Sequence, residues 1–305
     1  MELLEDKQKL SALWQTQNPT QKIFDYLGLK LAFLSCKVFS PLKGCICAFF
    51  DCGAENTIAF PGAISQPGSD YLAVLLSLAR KSKGKKFPSN LLFVFYQPTT
   101  GKEVCQTGIF RQYRVNRVLT LRFWDKTAPG ILAARKNEML ARSCDIYVTV
   151  EGAAALDAAI AFYNRASALE KALPEEIFRL LKFSKLAGNE ETARIEGILR
   201  VFQDDIYNDM RAGLTAIARE LQEMSSCNLT LSMSDGYPAV LNSPELMDQV
   251  QKILPIQKLK TPEMDTDEFS VFQRYAPGLL LFLGAGDEAP KKALEFLQTL
   301  TEKLP

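Results

Sequence analysis

The amino-acid sequence predicts an α/β protein that contains a β-α-β-β-α-β unit. Two observations support this prediction. Apolar segments of strand length alternate with longer segments of helical periodicity along most of the chain, as in an α/β sheet. From Cys144 to Met233 the predicted elements run strand, helix, strand, strand, helix, strand, which is the order of a ferredoxin-like unit.

The length and composition set broad limits on the class of protein. A chain of 305 residues is long enough for two domains or one large domain. A hydrophobic content of 47% and a charged content of 23% are ordinary for a soluble globular protein. The net charge of +1 indicates no attraction to nucleic acid or to a membrane surface through bulk charge.

The cysteines and the N-terminus favour a cytoplasmic protein. Seven cysteines lie in apolar segments, which is typical of free thiols in a reducing compartment. The acidic N-terminus lacks the apolar core of a signal peptide. The apolar stretch Leu29–Phe50 is interrupted by Lys37, Pro41 and Lys43, so we expect no membrane span there.

The first half of the chain predicts helices followed by strands. One or two short helices are expected within Glu2–Tyr26, and two strands over Leu29–Phe39 and Gly44–Phe50. The run Lys81–Lys86 is interpreted as a solvated turn and not as a nucleic-acid patch. The other predicted elements are strand Thr57–Phe60, helix Tyr71–Lys81 with Asp70 as its N-cap, strand Leu91–Tyr96, a short helix after Gly101, and strand Arg117–Phe123.

The second half predicts the β-α-β-β-α-β unit and a return to α/β structure. Ser243 is expected to cap a helix that has a proline in its first turn. The predicted elements are strand Cys144–Gly152, helix Ala153–Leu173, strands Ile177–Leu186 and Thr192–Phe202, helix Asp204–Met224, strand Asn228–Met233, helix Pro244–Leu254, strand Leu279–Leu283 and helix Pro290–Lys303.

Two loops are expected side by side at one edge of the sheet, where α/β folds build their sites. Ser65–Asp70 precedes a helix, and Gln97–Gly101 follows the next strand. The loops contain proline, serine, threonine and glycine where a hydrolase would need histidine, cysteine and carboxylates. The whole chain contains no histidine.

These loops also resemble a known family. The zinc-dependent aminoacylase and carboxypeptidase-like amidohydrolases of bacteria have a first loop that reads His-Ala-Cys-Gly-His-Asp and a second that reads Gln-Pro-Ala-Glu-Glu-Gly. Gly68 and Asp70 match the first pattern, and Gln97-Pro98 matches the second. Further similar stretches in the same order are Ala193–Phe202, Gly236–Leu246, Asp267–Ser270 and Pro277–Gly286.

The resemblance implies an architecture and a set of partners. It implies a mixed-sheet α/β/α metallopeptidase-like domain, formed by residues 1–144 and 235–305, with an inserted ferredoxin-like lid domain at 145–234. The family lid commonly pairs two subunits, so we expect a homodimer through this domain. Other expected partners are a small peptide-like ligand or an active relative, with no nucleic acid and no membrane.

The resemblance also implies two zinc ions, but the matching positions hold other residues. A ligand cysteine falls on Pro67, two ligand histidines fall on Ser69 and Arg122, and the two family glutamates fall near Thr99 and Thr100. The lid histidine falls within Gly152–Ala155, and the C-terminal histidine loop is missing. We therefore expect no metal cofactor and no catalytic residue, and a catalytically inactive pseudoenzyme that binds a ligand or scaffolds a partner.

Arg122 is the expected ligand anchor in this vestigial cleft, which comprises Pro67, Ser69, Asp70, Thr99, Thr100 and Arg122. A buried guanidinium needs a partner, and Asp70 is the predicted one. The alternative for Arg122 is a side chain that faces solvent at a strand end.

Three other chemistries stay open on the sequence alone. An amide hydrolase with a rebuilt, metal-independent site could use a Ser-Lys or threonine nucleophile, with Ser69, Thr99 or Thr100 near Lys102. Asp267 and Glu268 could be an acid–base pair or an ordinary helix start. Three cysteines could bind a soft metal or could be small residues of a buried strand: Cys45, Cys47 and Cys52.

Overall fold

The structure is a computed structural model that describes residues 2–66 and 68–305. The chain forms two compact units. Unit 1 comprises Met1–Met139, Leu241–Lys260 and Glu268–Pro305, and unit 2 comprises Leu140–Val240 and Thr261–Asp267.

Unit 2 extends beyond the predicted range of 145–234 at both ends and includes the separate segment Thr261–Asp267. The physical reason is backbone pairing within unit 2. The amide of Ala141 lies 3.2 Å from the carbonyl oxygen of Glu263 and 2.9 Å from that of Asp265, so it donates to both.

The helices and strands have the following bounds in chain order. The helices are α1 Glu2–Leu13, α2 Pro19–Ala32, α3 Ser69–Ser82, α4 Gly101–Gln106, α5 Ile109–Gln112, α6 Ala155–Lys171, α7 Asp204–Met224, α8 Pro244–Gln251, α9 Ser270–Gln273 and α10 Ala289–Lys303. The strands are β1 Lys37–Phe39, β2 Cys45–Phe50, β3 Thr57–Ala63, β4 Asn90–Tyr96, β5 Val115–Trp124, β6 Leu132–Ala134, β7 Asn137–Leu140, β8 Arg142–Glu151, β9 Arg179–Gly188, β10 Thr192–Val201, β11 Asn228–Met233, β12 Val240–Asn242, β13 Gln257–Lys258 and β14 Gly278–Gly284.

Unit 1 is built on a mixed eight-stranded sheet in the order β1-β2-β4-β3-β5-β14-β6-β13. Its central strands β4, β3, β5 and β14 are parallel to their neighbours within this group. Every residue of β3, β4 and β14 is buried, as expected for parallel strands that helices cover on both faces. The predicted α/β class with a mixed sheet is confirmed.

Unit 2 is built on an antiparallel four-stranded sheet in the order β11-β8-β10-β9. Alternate residues of β8 and β10 are buried in one core with the apolar faces of α6 and α7, including Phe162 and Leu214. The sequence of elements is β8-α6-β9-β10-α7-β11. The predicted ferredoxin-like unit is therefore confirmed.

Two local predictions in unit 1 are wrong. The predicted strand Leu29–Phe39 is a strand only over Lys37–Phe39, and its first residues form the end of α2. The helix continues to Ala32 because Ile23, Leu27 and Leu31 share a buried face at a spacing of four residues. Asp70 is not the N-cap of α3, since the helix begins one residue earlier and Gly68 is the N-cap.

The predicted cap at Ser243 is confirmed, because its hydroxyl oxygen accepts a hydrogen bond of 3.2 Å from the amide of Leu246. None of the described helices is long and apolar enough to cross a membrane.

Candidate functional site

A cavity of about 210 Å³ lies in unit 1 where the parallel strands β3 and β5 end. Its walls come from the end of β3, the loop that follows, the first turn of α3, the end of β5 and the segment before α9. The lining residues are Ala63, Ser65, Gly68, Tyr71, Leu121, Arg122, Phe123 and Glu268. The carboxyl edge of parallel strands is the place where α/β folds build sites, so the cavity is at the expected edge.

Arg122 is held by the sheet that carries it. Its Nη1 atom donates to the hydroxyl of Thr120 at 2.8 Å and to the carbonyl oxygen of Leu121 at 3.3 Å. The Thr120 hydroxyl in turn donates to the carbonyl oxygen of Pro61 on β3 at 3.4 Å. The guanidinium is therefore fixed in position across two neighbouring strands.

Glu268 supplies the carboxylate beside Arg122. Its Oε1 atom lies 3.5 Å from Nη2 of Arg122 and accepts a hydrogen bond of 3.3 Å from the hydroxyl of Tyr96. The side chains are partly buried, with exposed fractions of 25% for Arg122 and 17% for Glu268. The ring of Tyr71 lies 6.0 Å from the guanidinium carbon and forms another wall of the cavity.

The predicted cleft residues Ser69 and Asp70 bind to α1 and to the residue that follows it. The hydroxyl of Ser69 accepts a hydrogen bond of 2.6 Å from the indole of Trp14, and it donates to the carbonyl oxygen of Gln66 at 3.0 Å. Asp70 forms an ion pair with Lys7 at 2.8 Å. The predicted pair of Arg122 with Asp70 is therefore wrong, because Asp70 pairs with Lys7 of α1 and Arg122 pairs with Glu268.

The second predicted loop also lies away from the cavity lining. Thr99 is exposed, in a single 3₁₀ turn over Pro98–Thr100. The hydroxyl of Thr100 donates to the carbonyl oxygen of Gln97 at 2.9 Å. Pro67 lies outside the described residues. Of the predicted cleft residues that the structure describes, Arg122 alone is part of the lining.

Sequence reasoning missed Ser65, Tyr71 and the partner role of Glu268. Ser65 and Tyr71 belong to the loop and helix that the resemblance already singled out, so their place in the sequence was a usable signal. Glu268 was interpreted as part of a helix start or as half of an acid–base pair with Asp267. Glu268 instead faces a guanidinium, while Asp267 belongs to unit 2.

A metal does not fit the described residues at the positions where the resemblance implies metal ligands. A guanidinium has no acceptor atom, so Arg122 cannot coordinate a cation. Across residues 2–66 and 68–305, no three histidine, cysteine, aspartate or glutamate side chains lie together in a way that could hold a metal ion.

The three cysteines near β2 are buried side chains. The sulfur atoms of Cys45 and Cys47 lie 3.7 Å apart, and burial together with the hydrogen bond to Cys45 raises the pKa of Cys47. The sulfur of Cys52 contacts the carbonyl oxygens of Phe50 and Lys85 instead. This geometry favours the interpretation as small residues of a buried strand.

Comparison with known proteins finds distant sequence similarity to hydrolases. No family model matches the chain. An N-acetyldiaminopimelate deacetylase of Shouchella clausii is 20% identical over 251 residues, which is 73% of this chain and 67% of that protein. An uncharacterized hydrolase of Staphylococcus aureus is 21% identical over an alignment that spans 86% of this chain and 83% of that protein.

Solved structures show the same fold over nearly the whole chain. An aminohydrolase from methicillin-resistant Staphylococcus aureus matches with a TM-score of 0.86 at 15% identity, covering 98% of this chain and 96% of that one. A dinuclear metal binding peptidase of the M20 family from Bacillus subtilis matches with a TM-score of 0.77 at 14% identity, again over 98% and 96%. The chain therefore has the fold of these amidohydrolases and peptidases. Within this M20-like fold, the cavity beside Arg122 is the candidate site.

Proposed function

We propose that this M20-like protein is a catalytically inactive binding protein that takes a small amino-acid-like or peptide-like ligand in the cavity beside Arg122. The observation that carries the proposal is the guanidinium itself. It lines the cavity, it is fixed by Thr120 and Leu121, and the resemblance aligns it with a metal ligand. An arginine at such a position recognises carboxylates and does not hold zinc.

The loss of catalysis follows from the chemistry of the remaining residues. The resemblance implies a reaction in which metal ions activate water and a glutamate removes its proton. Arg122 and Ser69 stand at two ligand positions, and the chain offers no histidine as a substitute. We therefore derive no hydrolytic step through a metal for this protein.

A rebuilt metal-independent hydrolase finds little support in the contacts of the candidate nucleophiles. The hydroxyl of Ser69 is engaged by Trp14 and by a backbone carbonyl. The hydroxyl of Thr100 donates to a backbone carbonyl, and Lys102 is exposed. A nucleophile needs a base within hydrogen-bond reach, and these contacts do not supply one.

The proposal is tested by measuring metal content and hydrolysis on the same preparation. Elemental analysis of the purified protein is expected to find no stoichiometric zinc, manganese or cobalt. Release of amino acid from N-acetyl amino acids and dipeptides is expected to equal that of a buffer blank, with or without added zinc. About one metal ion per chain, or hydrolysis that Arg122→Ala or Ser69→Ala reduces, would overturn the proposal.

A further inference from the structure

The charges on the cavity wall balance. Among the described residues that line the cavity, the charged ones are Arg122 and Glu268, and their signs are opposite. The formal charge of this lining is therefore zero. The cavity thus presents a positive and a negative group next to each other and favours neither sign overall.

A ligand with a single charge would disturb this balance. The carboxylate of an N-acylated amino acid could approach Arg122, but it would also lie near the carboxylate of Glu268, and like charges at close range repel. Both side chains are more than two-thirds buried, so solvent screens an added net charge only in part. A ligand with one charge of each sign avoids that cost.

The charged groups of Arg122 and Glu268 lie close enough together for one small ligand to contact both. The Nη2–Oε1 distance of 3.5 Å is longer than the roughly 2.7–2.9 Å of a strong charge-assisted hydrogen bond. A carboxylate in contact with Arg122 and an ammonium in contact with Glu268 could each reach that shorter distance.

The remaining wall limits the size and character of the side chain. Ala63, Leu121 and Phe123 supply apolar surface. The cavity volume of about 210 Å³ equals roughly seven water molecules at the liquid value of about 30 Å³ each. This space suits an amino acid with a short aliphatic side chain.

From these observations we infer that the cavity binds a free, zwitterionic α-amino acid with a short aliphatic side chain, with its carboxylate on Arg122 and its ammonium on Glu268. The inference rests on the proposed binding function and narrows its ligand. A site of this kind differs from a site for N-acylated amino acids. In an N-acylated amino acid a neutral amide replaces the ammonium, so the ligand offers no positive charge to Glu268.

Calorimetric titration of the full-length protein tests the inference with three matched probes. The probes are L-valine, N-acetyl-L-valine and 3-methylbutanoate, which is valine without its amino group. L-valine is expected to bind at least about tenfold more tightly than either of the others, the effect of one charge-assisted contact.

Two isosteric variants locate the contact. Glu268→Gln keeps an acceptor for Tyr96 but removes the negative charge, so it is expected to weaken L-valine binding about tenfold and to leave N-acetyl-L-valine unchanged or tighter. Asp70→Asn is the matched control, because Asp70 pairs with Lys7 outside the lining, and it is expected to bind L-valine as the wild type does.

The outcomes separate the inference from the proposed function. Preferential binding of N-acetyl-L-valine or 3-methylbutanoate would overturn the zwitterion and leave the binding function intact. The same would follow if Glu268→Gln kept full affinity for L-valine. If none of the probes binds at millimolar concentration and a dipeptide does not bind either, both proposals fail.

Discussion

Arg122 forms an ion pair with Glu268, 146 residues further along the chain, at an Nη2–Oε1 distance of 3.5 Å. The pair joins the end of β5 to the segment that leads into α9. Tyr96 at the end of β4 donates to the same carboxylate oxygen. One glutamate therefore connects the end of β5, the end of β4 and the segment that leads into α9.

We expect the Arg122–Glu268 pair to contribute measurably to stability. In a double-mutant cycle with Arg122→Ala and Glu268→Ala, urea unfolding should give a coupling energy of about 1–2 kcal/mol, because both side chains are largely shielded from water. The control cycle uses Lys7→Ala and Asp70→Ala, whose side chains are about one-third exposed. That cycle should give no more than about 1 kcal/mol. Equal coupling in both cycles would contradict the expectation.

The ion pair between Asp6 and Arg80 should be far more important for stability. Asp6 is only 2% exposed, accepts from both terminal nitrogens of Arg80 and also accepts from the hydroxyl of Tyr26. Asp6→Asn leaves a largely buried guanidinium without its counter-charge, so we expect the free energy of unfolding to fall by about 3–5 kcal/mol.

A second substitution, Tyr26→Phe, tests how much the hydrogen bond to Asp6 contributes apart from the ion pair. Burial and the hydrogen bond to Asp6 raise the pKa of Tyr26, so its hydroxyl stays protonated. Tyr26→Phe removes one hydrogen bond but no charge and should cost only about 1 kcal/mol. If Tyr26→Phe destabilises the protein as much as Asp6→Asn in thermal and urea unfolding, the ion pair is not the dominant interaction.

Ala154 is a position where glycine should stabilise the protein. This residue precedes α6 with φ of 69° and ψ of 29°, the left-handed conformation that a Cβ atom disfavours. We expect Ala154→Gly to raise the free energy of unfolding by about 0.5–1 kcal/mol. Ala168→Gly, at an exposed position inside α6, is the control and should lower it by a similar amount. A loss of stability in both variants would show that Ala154 is not strained.

The buried thiols should make stability fall at high pH. Burial, followed by the proximity of Cys45, raises the pKa of Cys105 to about 12. Because the folded state holds this proton more tightly than the unfolded state, the stabilisation is complete below the unfolded pKa of about 8.5 and is lost as the pH rises towards 12. Unfolding measured from pH 8 to pH 11 should therefore show a steeper decline in the wild type than in Cys105→Ala. Parallel curves would be the contrary result.

We predict that two copies of the chain associate through unit 2. The edge strand β9 ends in five exposed residues, and Leu186 among them is 38% exposed. A long exposed edge strand favours pairing with another chain. Light scattering at tens of micromolar should give a dimer, and Leu186→Lys should shift it towards monomer. Phe33→Lys, an exposed apolar residue of unit 1, is the control and should leave the mass unchanged.

The long elements could be predicted from sequence because each has a clear period. Helix α7 and strand β11 were predicted with the bounds that the structure has. The failure at Leu29–Phe39 has a local cause, since a run of leucine and phenylalanine fits a strand and a buried helix face equally well. The two- and three-residue strands β13 and β6 are too short to carry a period.

The candidate site was predictable at Arg122 and unpredictable at its partners. Arg122 was predicted because the resemblance aligns one position of one strand with a metal ligand. Its pairing with Glu268 depends on how two segments far apart in the sequence pack together. The contacts of Lys7 and Trp14 with α3 likewise depend on the packing of distant segments. Neither residue has a sequence feature that points to Asp70 or Ser69, because those contacts arise only when α1 packs on α3.

The pairing of β14 with β5 has a consequence for the order of folding during synthesis. Leu279 lies beside Leu119, although all of β8 to β11 is encoded between them. The ferredoxin-like unit can form its internal pairs as soon as β11 has left the ribosome, since its contacts are closer in sequence. The larger sheet must form with one backbone edge of β5 unpaired until β14 has been synthesised, and an unpaired strand edge favours aggregation and recognition by chaperones.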